Sequence, residues 1–231
     1  MIDFSQCEKK IGVTFADKQI LMQAFTHRSY INENPNSGLS HNERLEFLGD
    51  AVLELIITDE LFRRFPTKAE GDLTAYRSAL VNAVTLSDIA LGIGMNDFLL
   101  LSKGEAKDNG KARQYILANT FEAVIGAIYM DQGYKTGETF IHRFLLPKLD
   151  DILKNKLWRD AKSFVQEKAQ EFVGVTPAYK VISESGPDHD KQFTIGIYFG
   201  DEFVTQGKGK SKQEAEQQAA SLALELKKLM D

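Results

Sequence analysis

Apolar residues recur every three or four positions through most of the first 150 residues, then every second position over short runs further on. The first spacing predicts helices over 18–26, 42–65, 73–93, 111–131 and 137–153. A polar, turn-rich stretch, NENPNSGLSH, separates the first two, and Pro66 stops the second. After residue 153 the texture changes. KNKLWRD reads as a short polar linker, followed by a helix over 161–172 and strands over 178–183, 192–199 and 202–207. In the second strand Phe193, Ile195, Ile197 and Phe199 alternate with other residues, and GDE at 200–202 makes a tight hairpin. A last helix is expected over 211–229. The fold class is therefore mainly α. An all-helical domain over 1–153 and a linker over 154–160 precede a small α-β-β-β-α domain over 161–231.

Two helices carry acid on one face. In HNERLEFLGDAVLEL, at about 100° per residue, Glu43, Glu46 and Asp50 fall within an arc of about 60°. Leu45, Leu48, Val52, Leu55 and Ile56 lie opposite and are the expected core side. In ILANTFEAVIGAIYMD, Asn119 and Glu122 share a face, with Leu117, Phe121, Val124, Ile125 and Ile128 opposite. Glu70 is expected in a loop, AEGD, after Pro66. An acidic helix face is ordinarily a solvated one. Here, however, no Lys interrupts the acidic arc, and Phe47 stands beside it as an exposed aromatic suited to an interface. Carboxylates brought together must take up protons or bind a cation. Oxygen donors suit Mg²⁺, with Mn²⁺ as a substitute. Such an ion serves phosphodiester hydrolysis. The other route to RNA cleavage, a pair of histidines as acid and base, finds no suitable spacing among His27, His41, His142 and His189. His27 and His41 are expected to be structural or capping residues.

Composition narrows the setting. The chain is 43% hydrophobic and 26% charged, enough for a substantial core. Its one cysteine, Cys7, forms no internal disulfide. There is no secretory pattern at the start and no run of about 20 apolar residues, so a cytoplasmic protein without a membrane span is expected. The net charge of −5 disfavours nucleic acid as a partner in bulk. Residues 159–231 hold 10 Lys and Arg against 12 Asp and Glu. Lys208, Lys210 and Lys212 nevertheless crowd the start of the last helix, where a phosphate is favoured by free N–H groups and by the macrodipole.

At these residues the sequence resembles bacterial ribonuclease III. NERLEFLGD at 42–50 matches the family's signature, supported in order by AFTHRSY at 24–30, EGDLT at 70–74 and FEAVIGAIY at 121–129. The resemblance implies a homodimeric endonuclease for double-stranded RNA that leaves 5′-phosphate and 3′-hydroxyl ends with short 3′ overhangs. It implies metal ligands at Glu46, Asp50, Asn119 and Glu122, with Asp50 and Glu122 catalytic. Glu43 and Glu70 become accessory acids, and Phe47 an aromatic that plugs into the partner subunit. In the last domain it implies duplex contacts from Ser163, Gln166, Glu167 and His189. Substrates would be ribosomal RNA precursors and structured messenger and transfer RNA. One departure stands out. Many members carry aspartate at Asn119, so the four-residue set falls from −4 to −3 and its hold on a cation weakens. The alternative is a duplex-RNA-binding protein whose nuclease site Asn119 has disabled. A helical hydrolase of small phosphate compounds is disfavoured by the last domain.

Overall fold

The computed structural model describes residues 3–107, 110–155, 158, 161–187 and 191–226. The chain divides into two compact units, Met1–Trp158 and Arg159–Asp231. The first unit holds α1 (Phe4–Ile11), α2 (Lys18–Ala24), α3 (Arg28–Glu33), α4 (Glu43–Arg64), α5 (Glu70–Leu80), α6 (Ala83–Ile93), α7 (Lys111–Gln132) and α8 (Tyr134–Lys154). Side chains start several of these helices by accepting from first-turn N–H groups. Asp3 accepts from Ser5 N (3.0 Å), Asp17 from Gln19 N (2.8 Å), and His27 Nδ1 from Ser29 N (3.3 Å). His27 is thus a cap, as expected of it.

The core is organised around α7, which packs on α2, α4, α6 and α8. Leu117, Phe121, Val124, Ile125 and Ile128 are fully buried, and so are Ala123 and Ala127. From α4, Leu45, Val52 and Ile56 are buried as expected. Leu55 is not; it is 58% exposed. The position lies at the edge of the core arc, and nothing in the unit covers it.

Three further expectations are corrected. The single helix over 73–93 is two helices, because Asn82 turns extended (φ −144°, ψ 161°) and caps α6 by accepting from Thr85 N at 3.0 Å. Apolar spacing runs on through that break, so periodicity does not register it. Glu70 is the first residue of α5, where an acid favours the helix N-terminus. The helix expected to reach Thr26 ends at Ala24, and Thr26 instead bridges Leu100. The short helices α1 and α3 have no counterpart in the expected elements. Trp158, within the expected linker, packs edge-on against Tyr76 (4.7 Å between centroids, 82°) on the core of the first unit.

The second unit runs α9 (Ala161–Val173), β1 (Pro177–Ser185), β2 (Gln192–Phe199), β3 (Glu202–Gly209) and α10 (Lys212–Leu226). The sheet is antiparallel in the order β1-β2-β3. Both helices cover one of its faces, with Val165, Ala169, Ala219, Ala220, Ala223 and Leu224 against Ile197 and Phe199. The alanines let α10 approach the sheet closely. A Cβ on Gly207 would stand 2.3 Å from Ala215 O and Ala219 N. Gly200, at φ 62°, turns β2 into β3.

Candidate active site

The site begins with two glycines. Gly49 on α4 and Gly126 on α7 lie where these helices cross. A Cβ on Gly49 would stand 1.8 Å from Glu122 O, and one on Gly126 would stand 2.2 Å from Leu45 O. Only glycine permits that approach. It draws Glu46 and Asp50, at positions flanking Gly49, to the same side as Asn119 and Glu122, at positions preceding Gly126.

The electrostatics record this gathering. Burial first, then Asp50, Glu46 and Glu54, push Glu122 up to about 7. Burial and Glu43 raise Glu46, while hydrogen bonding from the Asn119 side chain pulls it back down and Asp50 adds to the rise. Asn119 therefore favours the charged form of Glu46, whereas an aspartate there would add repulsion. Glu54 joins the acids named from the sequence. It sits one turn beyond Asp50 and extends the same arc, so i, i+4 spacing is the signal that points to it.

The four predicted ligands are brought to one patch. Glu46, Asn119 and Glu122 are half-buried and Asp50 is exposed. They supply only hard oxygen donors, and their mutual repulsion is what a divalent cation relieves. Among the described residues no three His, Cys, Asp or Glu side chains are arranged to hold a metal ion. The patch thus fits a hard cation in the chemistry of its donors.

The accessory acids are placed differently from each other. Glu43, at the α4 N-terminus, lies 3.8 Å from Arg28 and 3.6 Å from His41 Nδ1, and it acts on Glu46. Glu70 accepts from Thr74 Oγ1 at 2.9 Å and is not among the groups that shift Glu46 or Glu122. It lines a separate cavity of about 380 Å³ between α4 and α5, with Leu61, Phe62, Leu73 and Arg77. Phe47 is 80% exposed. Leu55 and Phe62 follow it on the same side of α4, giving an uncovered apolar stripe along the helix.

In the second unit Ser163, Gln166 and Glu167 are exposed on α9, opposite Val165 and Ala169. Lys212 opens α10, paired with Glu184 at 3.3 Å and lying over the Phe193 ring. Lys210 N donates to Glu214 at 2.7 Å. Lys208 differs from both. It lies within β3 between Gly207 and Gly209, which face α10, so its side chain belongs to the opposite face of the sheet. His189 lies outside the described residues.

Comparisons with known proteins fit this geometry. Residues 17–149 match the family described as Ribonuclease-III-like, and residues 161–227 match the double-stranded RNA binding motif. The chain is 49% identical to Ribonuclease 3 of Carboxydothermus hydrogenoformans, over 96% of this chain and 94% of that protein. It is 44% identical to Ribonuclease 3 of Desulfotalea psychrophila, over 95% and 91%. Among solved structures, the nuclease domain of ribonuclease III from Campylobacter jejuni is 38% identical with a TM-score of 0.57, covering 63% of this chain and 99% of that one.

Proposed function

Because this chain belongs to the ribonuclease III family, we propose that the carboxylate patch across the α4–α7 crossing is its catalytic centre, with Asp50 and Glu122 at the reacting phosphate. The chain is an endoribonuclease that carries a double-stranded RNA-binding domain, and metal-dependent nuclease chemistry is typical of its family. The observation that carries the site assignment is Glu122: half-buried in the most enclosed helix of the unit, it is pushed up to about 7 by burial and by Asp50 and Glu46.

Glu46, Asp50, Glu122 and the Asn119 carbonyl would hold the ion, and Mg²⁺ is the preferred one, with Mn²⁺ a substitute. A bound divalent ion lowers the pKa of water and stabilises the leaving oxygen. The side chains do the rest. Asn119 favours the charged form of Glu46 by hydrogen bonding to it. Glu43, beside Arg28 and His41 at the rim, adds to the repulsion that raises Glu46. The products are 5′-phosphate and 3′-hydroxyl ends with short 3′ overhangs. Ribosomal RNA precursors and structured messenger and transfer RNA are the substrates, cut in the cytoplasm; no described helix is long and apolar enough to cross a membrane.

A homodimer completes the reading. The exposed stripe of Phe47, Leu55 and Phe62 is apolar surface that a second copy would cover. The cavity beside Phe62 has room for an aromatic ring such as the partner's Phe47. The related Campylobacter jejuni nuclease domain has a flexible region involved in dimer formation. Ser163, Gln166, Glu167, Lys210 and Lys212, with His189, would grip the duplex by shape.

Incubating the protein with a long RNA duplex and rising Mg²⁺ or Mn²⁺ tests this reading. Discrete shortening with 5′-phosphate ends supports it. Intact RNA in a retarded complex, cut only after Asn119→Asp, supports instead a duplex-binding protein whose nuclease site Asn119 has disabled.

A further inference from the structure

The sheet of the second unit has a face that neither α9 nor α10 touches. Strand pairing defines what stands on it. Lys180 pairs with Gly196 and Gly196 with Gln206; Tyr198 pairs with Phe203; Thr194 pairs with Lys208. Ile182, at the β1 bulge, leans over Gly196 from the side. Three rows result: Ala178, Tyr198 and Phe203, then Lys180, Gly196 and Gln206, then Ser183, Thr194 and Lys208, with Ile182 at the bulge between the last two. Successive rows are about 7 Å apart along the strands.

The packing on this face is aromatic and open. A Cβ on Gly196 would stand 2.9 Å from Ile182 Cδ1, 3.1 Å from Tyr198 Cε2 and 3.2 Å from Phe203 Cε2, so the glycine is a floor on which these three side chains meet. Tyr198 and Phe203 sit edge to face at 5.5 Å. Lys180 Nζ lies 4.7 Å from the Tyr198 centroid. Phe203 is nevertheless 49% exposed and Ile182 47%. Monomeric domains do not ordinarily leave a phenyl, an isoleucine and a tyrosine together in water.

The charge on the face is one-sided. Lys180 and Lys208 are its cations, and among the described strand residues that point this way none is acidic. Asp201, in the β2–β3 turn, marks one end of it, and Glu202, the first residue of β3, pairs with Phe199, whose side chain belongs to the helix-covered face. This holds in a domain whose acids outnumber its bases. Aromatic rings that stack bases, set among lysines that meet phosphates, form the chemistry that holds a single strand without reading its sequence. A duplex offers the rings no free base, because its bases are already stacked on each other, and leaves the lysines alone to meet its phosphates.

We propose that the outer sheet face of the second unit, built on Tyr198, Phe203, Ile182, Lys180 and Lys208, binds single-stranded RNA, separately from the helix-side surface that meets the duplex. The two surfaces lie on opposite sides of one sheet, so a duplex and its unpaired flank engage the domain together.

The test uses the full chain in EDTA, where nothing is cut, and a fluorescein-labelled oligouridylate of about 12 nucleotides as the probe. Fluorescence anisotropy should show binding that persists when an unlabelled blunt duplex saturates the protein. The double variant Lys180→Gln, Phe203→Ser should weaken the oligouridylate about fivefold or more. Its affinity for the blunt duplex and its cleavage of that duplex in Mg²⁺ should stay as in the parent, which shows that the variant is folded. Three results would overturn the proposal: displacement of the oligouridylate by the duplex, unchanged oligouridylate affinity in the variant, or a loss of self-association in the variant seen by sedimentation. The last would assign the face to a second copy of the chain. None of these outcomes bears on the carboxylate patch, which is silent in EDTA.

Discussion

Gly49 and Gly126 face each other across the α4–α7 crossing so closely that a methyl group on either would meet the opposite helix backbone. The contact lies on the link between packing and chemistry, because the separation of the two helices sets the separation of the carboxylates. Extra methyl groups in packed sites ordinarily cost about 1–3 kcal/mol. Here the neighbour is backbone and cannot rotate away, so Gly126→Ala should cost about 3 kcal/mol or more by urea unfolding. Stability within about 0.5 kcal/mol of the parent would contradict this close approach.

Glu122 makes metal-free stability and metal affinity depend on pH in opposite senses. Its folded pKa, about 7, is raised above the ordinary glutamate value of 4.5. The folded state therefore binds a proton between those values that the unfolded chain has lost, and stability falls as pH rises through that window. Glu122→Gln removes the repulsion. In EDTA at pH 8 it should melt a few degrees higher than the parent, with the difference fading toward pH 4.5. A lower melting temperature at pH 8 would contradict the account. In the parent, the same proton must leave before Mg²⁺ binds. Calorimetric affinity should then fall about tenfold per pH unit below 7.

Asn119→Asp tests the one departure from the family pattern. A fourth formal charge should tighten Mg²⁺ several-fold by calorimetry. It should also lower metal-free stability at pH 8, since the amide that now hydrogen-bonds Glu46 becomes another repelling acid. Unchanged affinity would remove residue 119 from the ligand set.

Phe47 is the most exposed large hydrophobic residue described. Central aromatics at interfaces commonly contribute about 2 kcal/mol or more. Phe47→Ala should therefore weaken self-association tenfold or more by sedimentation equilibrium. An unchanged dimer would assign the interface elsewhere.

The two acidic faces are legible because both helices are long and their polar ligand candidates recur at i, i+3 and i, i+4 spacing. Their convergence is less so. Glycines inside helices 42–65 and 111–131 are costly, and that cost is itself a sign of close approach. The break at Asn82 was hidden by apolar spacing that continues across it. Leu55 and Phe62 show the reverse: their apolarity suggests core, and the single unit leaves them bare. Nearness in sequence groups Lys208 with Lys210 and Lys212. Strand alternation sends it to the other face, which only the pairing register reveals. The EGDLT motif puts Glu70 among the accessory acids, and within one chain it stands at a different cavity.

The most direct test of the central claim compares the parent with Glu122→Gln on one long RNA duplex. Cleavage is followed in Mg²⁺ and binding by gel retardation in the same buffer. The account predicts that cutting falls about a thousandfold or more while duplex affinity stays within about twofold. Cutting that persists near the parental rate would contradict it.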